Sequence, residues 1–506
     1  MSTKSEPPKL FGEKRVISER QKKIGQLRNM GVDPYPSTFN RTHTIKEAVA
    51  EFERLKSRSD KSHDLLTEKL SVAGRIIARR GMGKASFLDI KDNSGQIQCF
   101  ARQNVMKGQY EILSYLDIGD IVGVEGPVMA TRKGETSVEV TGLVVLTKAL
   151  RPLPDKWSGL KDVEIRYRQK YLDLISNPKA LSNAILRPKI VSSIRKFMHQ
   201  RDFIEVETPI LVPVAAGAQA KPFETHHNSL NRNLYLRIAT ELYLKKLIVG
   251  GFEKVFEIGK LFRNEGLDQY HNPEFTTMEC YEAYTDYNDV MRLLEDLVLH
   301  TITEVSGSDI LPAIGGIRPE IHLKPPWPRL DLRQTIIERV GFDFCEHRDT
   351  ESLKSVMNDL NIYVEPGASW GRLLDKVISD KIEPSLIQPH FLVDYPVEMS
   401  PLAKRKLGSE GIVERFEAFV LGSELANAFS ELNDPIDQRE RFEEQERLRL
   451  QFSDDELDRL DEDFLIAIEH GMPPTGGLGL GIDRLVMLIA GEESIREILL
   501  FPQLRN

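Results

Sequence analysis

Between Phe262 and Glu282 the chain reads FRNEGLDQYHNPEFTTMECYE, two β-type runs joined by a polar loop. Val255, Phe256 and Ile258 lead into Phe262, and Phe275 to Tyr281 resumes the pattern. Side chains alternate faces along a strand, so Arg263 and Glu265 share one face of the first run. On the second, Phe275, Thr277, Glu279 and Tyr281 share a face by the same parity. An arginine, two carboxylates and two aromatic rings on one sheet face are costly to bury and suit the floor of a ligand site. The loop from Gly266 to Pro273 carries His271 and Asn272, polar groups suited to closing over a phosphate chain. Taken alone, the segment also fits an exposed hairpin with a salt-bridged surface.

A second segment, TGGLGLGIDRLVMLIAG, sets Gly477, Gly479 and Gly481 on alternate positions and then opens an apolar helix with Asp483-Arg484. Alternating glycines leave one strand face bare, so a flat ring or a backbone can lie against it. The helix start puts Arg484 beside that gap. A dinucleotide fingerprint would need a preceding hydrophobic strand and an acidic residue ~20 positions on. Met472-Pro473-Pro474-Thr475 stands there instead, which excludes it.

RDFIEVETPIL, from Arg201 to Leu211, completes a set of three. Taken in chain order, Arg201–Leu211 first, FRNE with its loop and return strand second and GLGLGIDR third, these segments resemble the three signature motifs of class II aminoacyl-tRNA synthetases. Within that class the chain is most similar to the lysyl-tRNA synthetases, through RPLPDKWSGLKDVEIRYRQKYLDLI, RIATELYLKKLIVGGFEKVFEIG and HNPEFTTMECYEAY. The resemblance runs from about residue 15 to the end. It implies a catalytic domain built on an antiparallel sheet flanked by helices, an amino-terminal OB-fold barrel, and a homodimer joined through the first motif.

Charge counting agrees with a lysine substrate. GSELANAFSELND carries Asn427, Phe429 and Glu431 on one parity, and Glu241 opens the apolar helix ELYLKKLIVGG. With Glu279 these make three carboxylates, which repel one another in a small pocket unless a cation joins them. We find no cation among these positions to face an acidic substrate side chain. For Glu241, a surface ion pair at a helix start is the simpler alternative.

The resemblance assigns roles. Glu279, Glu431 and the Tyr281 hydroxyl hold the ε-ammonium; Glu241 and the backbone of Gly217 hold the α-ammonium; Arg263 and Asn427 orient the carboxylate. Adenine of ATP lies between Phe275 and Arg484 with Glu265 near its amino group, and Arg484 and His271 reach the outer phosphates. Mg²⁺ is carried by Glu417 and Glu424, since a phosphate-bound magnesium needs only one or two protein carboxylates. Glu424 and Asn427 lie three apart, so a bulge or turn starting near Gly422-Ser423 must bring both to one side. Other readings of the chain are an aspartate or asparagine enzyme of the class, or a non-catalytic, regulatory RNA-binding homologue.

A length of 506 residues suits several domains. The three cysteines, Cys99, Cys280 and Cys345, are widely spaced, which argues against a disulfide framework or a cysteine-held metal and suits the cytoplasm. No apolar run suits a secretory leader or a membrane span. The net charge of −9 is unevenly distributed. Ile436 to Asp463 holds twelve acids against five arginines, whereas Lys69 to Lys107 holds eight lysines and arginines against two aspartates. A basic domain can collect phosphates within an acidic protein.

That basic domain, 67–150, shows five β-type runs, a helical connector at Val105–Leu113 and a turn at Asp92–Gly95, the pattern of an OB-fold barrel that binds single-stranded nucleic acid. Phe87 is placed to stack on a base, Gln98 to read a base edge and Arg80 to hold phosphate or base. A strand phenylalanine is more often core; the resemblance makes these three tRNA anticodon contacts, with Glu135 as a fourth. Before the barrel, 1–66 comprises a tail, structureless to about residue 12, and a basic helix stopped at Gly31 and Pro34. A linker covers 151–181 and the catalytic domain 182–506, with helices inserted between Leu330 and Ile387 and an acidic helical stretch at Asp437–Asp463.

Overall fold

Along Ala85–Lys91, Ser86, Leu88 and Ile90 are buried while Ala85, Phe87, Asp89 and Lys91 are half-exposed, the alternation of a strand with one face on a core. In the computed structural model this strand lies at the centre of the first of two units, which divide between Gly159 and Leu160. The structure describes residues 9–58, 65–154, 160, 162–218, 220–452 and 460–505.

The first unit is a seven-stranded sheet, not the five-stranded one expected, because the last two runs each break in two. Ile121–Gly126 is separated from Val128–Ala130 by Pro127, which has no N–H for the ladder. At that corner a Cβ on Gly126 would fall onto the Glu139 carbonyl, so only glycine lets the two stretches of backbone approach. Thr136–Val140 and Gly142–Thr147 part at Thr141, whose N–H donates to the Glu125 carbonyl. The expected connector is a short helix, Gln103–Met106, followed by a 3₁₀ turn, Lys107–Tyr115, with Lys107 at positive φ between them. In the Asp92 turn the carboxylate accepts from the N–H groups of Ser94 and Gly95.

The residues read as an extension belong to this unit's core. Helix Lys9–Asn29 begins earlier than expected; residues 1–8 lie outside the described residues. Its Arg20 is buried and donates to the carbonyls of Ile118 and Ala149, so part of the basic face is internal. Helix Ile45–Ser57, held by a Thr44/Glu47 capping box, buries Ile45, Ala48 and Phe52 against the barrel.

The second unit carries an eight-stranded sheet in the order Arg329–Asp331, His390–Pro396, Ile412–Val420, Ser423–Ser430, Thr475–Gly481, Glu274–Ala283, Lys254–Phe262, Ile204–Glu205. All neighbours are antiparallel except the two edge pairs. Parity then separates two faces. Met278, Cys280, Leu478, Leu480, Ala426 and Ala428 pack on helices Pro178–Gln200, Tyr287–Ser306 and Ile482–Ala490 in one core. The opposite face carries Glu279, Tyr281, the alternate glycines, Asn427 and Phe429. Helices Leu332–Val340, Thr350–Asp359 and Trp370–Lys381 form a separate core beside it.

The stretch read as a linker is divided. Residues from 160 on belong to the second unit, where Arg166 and Tyr167 both bond Glu497. The acidic stretch is helical over Pro435–Phe452 and again over Glu462–Glu469; residues 453–459 lie outside the described residues. The three cysteines are free. No described helix is long and apolar enough to cross a membrane.

Candidate active site

Three neighbouring strands make the floor. Tyr281, Gly477 and Phe429 lie in one cross-strand row, and Glu279, Gly479 and Asn427 in the next. The central strand has no side chain in either row, so the outer two rise as walls around a bare strip. A Cβ on Gly477 would fall within the Glu431 carboxylate, which requires glycine there. At Gly479 and Gly481 a Cβ would meet only ordinary contacts, so these two keep the strip open for something not belonging to the fold.

A cavity of about 490 Å³ stands over this floor. Every residue assigned above to lysine, ATP or metal lines it. Arg263 and Glu265 lie just beyond Phe262, where the strand ends earlier than the alternation suggested, although the Arg263 N–H still donates to the Pro273 carbonyl. Glu265 is exposed at the rim. The Arg263 guanidinium sits 5.2 Å from the Phe275 ring centre, and its Nε is buried without a hydrogen-bond partner among the described residues. His271 bonds Asp268 at 2.7 Å and comes within 3.5 Å of Arg484. Asn272 lines the cavity with both ends of its amide engaged, donating to the Glu274 carbonyl and accepting from the Gln503 N–H.

The bulge needed between Glu424 and Asn427 is present, two residues after Gly422-Ser423. Phe419 faces Glu424 while Ala418 faces Ala426, leaving Leu425 as the extra residue. Leu421 and Gly422, both at positive φ, form the two-residue turn that precedes it.

Two groups of acids occupy opposite ends. At one, burial pushes Glu279 up to about 7, helped by the charge of Glu241 and opposed by Thr240 and Arg263. Burial also raises Glu431 and the Tyr281 hydroxyl well above their ordinary values. Glu279 Oε2 and Glu431 Oε1 have no hydrogen-bond partner among the described residues. At the other end, burial and the charges of Glu424 and Asp375 lift Glu417 to about 7 against the pull of Arg415. Burial would lift Glu424 too, but its 2.9 Å pair with Arg484, together with Arg415 and Arg263, holds it below the usual carboxylate range.

The sequence reading missed three charged groups here. Arg415 spans Glu417 (2.6 Å) and Asn427 (3.1 Å), and its position two before Glu417 on one strand was the available signal. Asp375, from an inserted helix, lines the cavity near Glu424. Lys245 corrects the charge count. It is wholly buried, 2.5 Å from Glu241 Oε1 and in contact with Glu431 Oε2, so the three carboxylates do have a protein cation among them. Its spacing of four from Glu241 on an apolar helix marked it.

On the barrel, Phe87 and Phe100 stack at 4.7 Å and 15° on the outward face, with Arg80 beside Phe87 across the strand pair. Phe87 is therefore not in the barrel core, and Phe100 is a second aromatic the sequence reading did not single out. Gln98, expected to be open to a base, is buried: it donates to Glu135 at 2.9 Å and accepts from the Ser137 hydroxyl at 3.0 Å. Glu135 and Ser137 thereby fix which way its amide points. Arg80 is 3.4 Å from Asp89.

The family described as "tRNA synthetases class II (D, K and N)" matches residues 162–505, and that described as "OB-fold nucleic acid binding domain" matches 70–146. The lysine–tRNA ligase of Dehalococcoides mccartyi is 50% identical over 495 residues, 98% of each chain. That of Carboxydothermus hydrogenoformans is 50% identical over 97% of this chain and 98% of its own. That of Bacillus subtilis is 48% identical over 97% of each.

Proposed function

The chain belongs to the class II tRNA synthetases, among the lysine–tRNA ligases, and on that footing we propose that it attaches L-lysine to its tRNA by way of a lysyl-adenylate formed from ATP. One observation carries the substrate assignment: buried Glu279 Oε2 and Glu431 Oε1 lie without a hydrogen-bond partner among the described residues beside a bare glycine strip. An ammonium group supplies what such oxygens lack. Glu279, Glu431 and the Tyr281 hydroxyl take the ε-ammonium, Glu241 and the Gly217 backbone the α-ammonium, and Arg263 with Asn427 the carboxylate. A substrate with an acidic side chain would meet like charge there, which speaks against an aspartate enzyme.

A lysine carboxylate oxygen attacks the α-phosphorus of ATP, forming the new O–P bond as the bond to the β-phosphate oxygen breaks and pyrophosphate leaves. The protein's share is positioning and charge stabilisation. The Nε of Arg263, buried without a hydrogen-bond partner among the described residues, suits it to the oxygens gaining charge. Phe275 and Arg484 clasp adenine, with Glu265 at its amino edge, and His271 and Arg484 reach the outer phosphates. Asn272 acts by tying the loop to the carboxy-terminal segment. The terminal ribose hydroxyl of tRNA then attacks the adenylate carbonyl and AMP departs.

Glu417 and Glu424 fit a metal ion that arrives with the nucleotide. They line one end of the cavity, where the charges of Glu424 and Asp375 help burial hold Glu417 up at about 7, a burden that a further cation would relieve. No group of three or more metal-ligating side chains occurs among the described residues, as suits an ion held largely by phosphate. When bound, Mg²⁺ screens the phosphate charge.

Lysine-dependent exchange of pyrophosphate into ATP, without and then with tRNA, tests this reading. Exchange supported equally by aspartate, or absent with lysine, overturns it. A regulatory homologue has no need to retain Arg263, Glu424 and Arg484 in one cavity.

The outward Phe87–Phe100 pair supports base stacking of the anticodon, with Arg80, Gln98 and Glu135 around it. Phe87→Ala is expected to weaken tRNA charging by ~1–3 kcal/mol while leaving tRNA-free exchange nearly untouched. Equal loss in both activities would assign Phe87 a purely structural role.

Assembly as a homodimer fits the exposed apolar side chains of the first motif: Ile204, Ile210 and Leu211 are 50%, 45% and 47% exposed. Sedimentation at micromolar concentration is expected to show a dimer, and a fully active monomer would refute it. Work in translation places the protein in the cytoplasm.

A further inference from the structure

Lys245 takes no part in the roles above, and it does not line the cavity. It projects from helix Glu241–Val249 behind the wall made by Glu241 and Glu431, with no exposed side-chain surface. Its ammonium is 2.5 Å from Glu241 Oε1, touches Glu431 Oε2, and lies 5.6 Å from the Phe429 ring centre and 6.0 Å from those of Tyr281 and Phe464. The contact leaves Glu431 Oε1 on the side of Gly477, over the bare strip. We propose that Lys245 is a positioning residue for lysine recognition: it clamps one oxygen of Glu431, favours that carboxylate's charged form against its burial in a dry pocket, and so presents the other oxygen to the substrate's ammonium.

The proposal rests on the lysine assignment given above. Its physical basis is that a fully buried carboxylate takes up a proton unless a cation stands beside it. A protonated Glu431 offers an ammonium group far less than a carboxylate does. The groups facing Glu431 are Lys245 and Glu241 from the helix, and Glu279 and Tyr281 from the strand beyond the glycines. Only Lys245 among them favours the charged form. Around Lys245 itself stand Glu241, Glu431 and the three rings. Three carboxylates and one ammonium leave two negative charges, the complement of lysine's two ammonium groups. The Glu241 contact anchors the ammonium from its own helix, so it cannot follow Glu431 into the cavity.

The sign of the pH dependence follows. Lysine binds the ionised acids, so lowering the pH weakens binding by protonating Glu279, which burial pushes up to about 7, and Glu431, which burial raises as well. Removing the Lys245 charge makes Glu431 easier to protonate, which moves this acidic limb to higher pH. Lys245→Met keeps the buried stem. The expected result is a KM for lysine raised at least roughly tenfold at pH 7, an ATP affinity within about twofold of the parent, and a deficit that shrinks as the pH rises to 9. A deficit constant from pH 6 to 9, or none, overturns the proposal, because a merely structural role does not follow Glu431's ionisation.

If Lys245→Met does not fold, the double variant Lys245→Met/Glu431→Gln, which loses ammonium and carboxylate together, is compared with Glu431→Gln alone. Lysine KM values agreeing within about threefold are expected; a further tenfold loss overturns the proposal. Glu279→Gln separates the two levels. If it leaves lysine KM unchanged, the pocket assignment fails; if it raises KM while Lys245→Met does not, only the role of Lys245 fails.

Discussion

Replacing Glu279 by Gln is expected to raise the lysine requirement by roughly two to three decades while ATP affinity barely moves. Glutamine keeps the shape of the side chain and removes its charge, leaving the ε-ammonium half-paired where water cannot take the missing place. Truncating one partner of a buried ion pair typically costs ~2–5 kcal/mol. ATP is expected to be spared because its contacts, Phe275, Arg263 and Arg484, do not include the Glu279 carboxylate. Norleucine, lacking the ammonium, leaves Glu279 Oε2 and Glu431 Oε1 without a donor and should be rejected by the native protein. The variant should discriminate less. Initial rates of pyrophosphate exchange against lysine and norleucine measure both effects, and normal lysine affinity with normal rejection would show that Glu279 does not read the side chain.

Arg263→Ala should lower the rate of adenylate formation by about two to three decades, with smaller changes in the apparent affinities for lysine and ATP. The side chain lies over Phe275 with its Nε buried and unpartnered among the described residues, so its donors are aimed before substrate arrives. Groups held in this way stabilise developing charge without reorganising. Arg263→Lys should recover only part of the rate, because a point charge does not reproduce the planar fork. Single-turnover measurement of adenylate separates this step from product release. A loss confined to binding, with the chemical rate preserved, would move Arg263 from the reacting phosphate to the substrate carboxylate alone.

Much of the site was legible because it sits on strands. A period of two needs no knowledge of the neighbours, so the alternation of Phe275, Thr277, Glu279 and Tyr281, and of Gly477, Gly479 and Gly481, identified the face the fold exposes to the cavity. For Phe87 the strand pattern alone favoured the core; the resemblance made it a contact, and the structure turns it outward. The period of two stopped at Arg263 and Glu265, because a strand's end is set by its partner's hydrogen bonds rather than by its own side chains.

By itself the sequence determined the two-domain character and the barrel through local strand patterns and the family through motif order, and the resemblance so established supplied the antiparallel sheet and most of the residues that meet in one cavity. Tertiary structure decided the rest. Pro127 and Thr141 turn five runs into seven strands because a barrel must corner to close. Helix Ile45–Ser57 joins the barrel core because its apolar face has nowhere else to be buried. Leu425 bulges, bringing Glu424 and Asn427 to one side. Lys245 meets Glu431 across 186 positions of sequence, and no periodicity encodes a contact of that separation. Pairing between buried charges belongs to the packed state, where removing water makes each ion's nearest neighbour decisive.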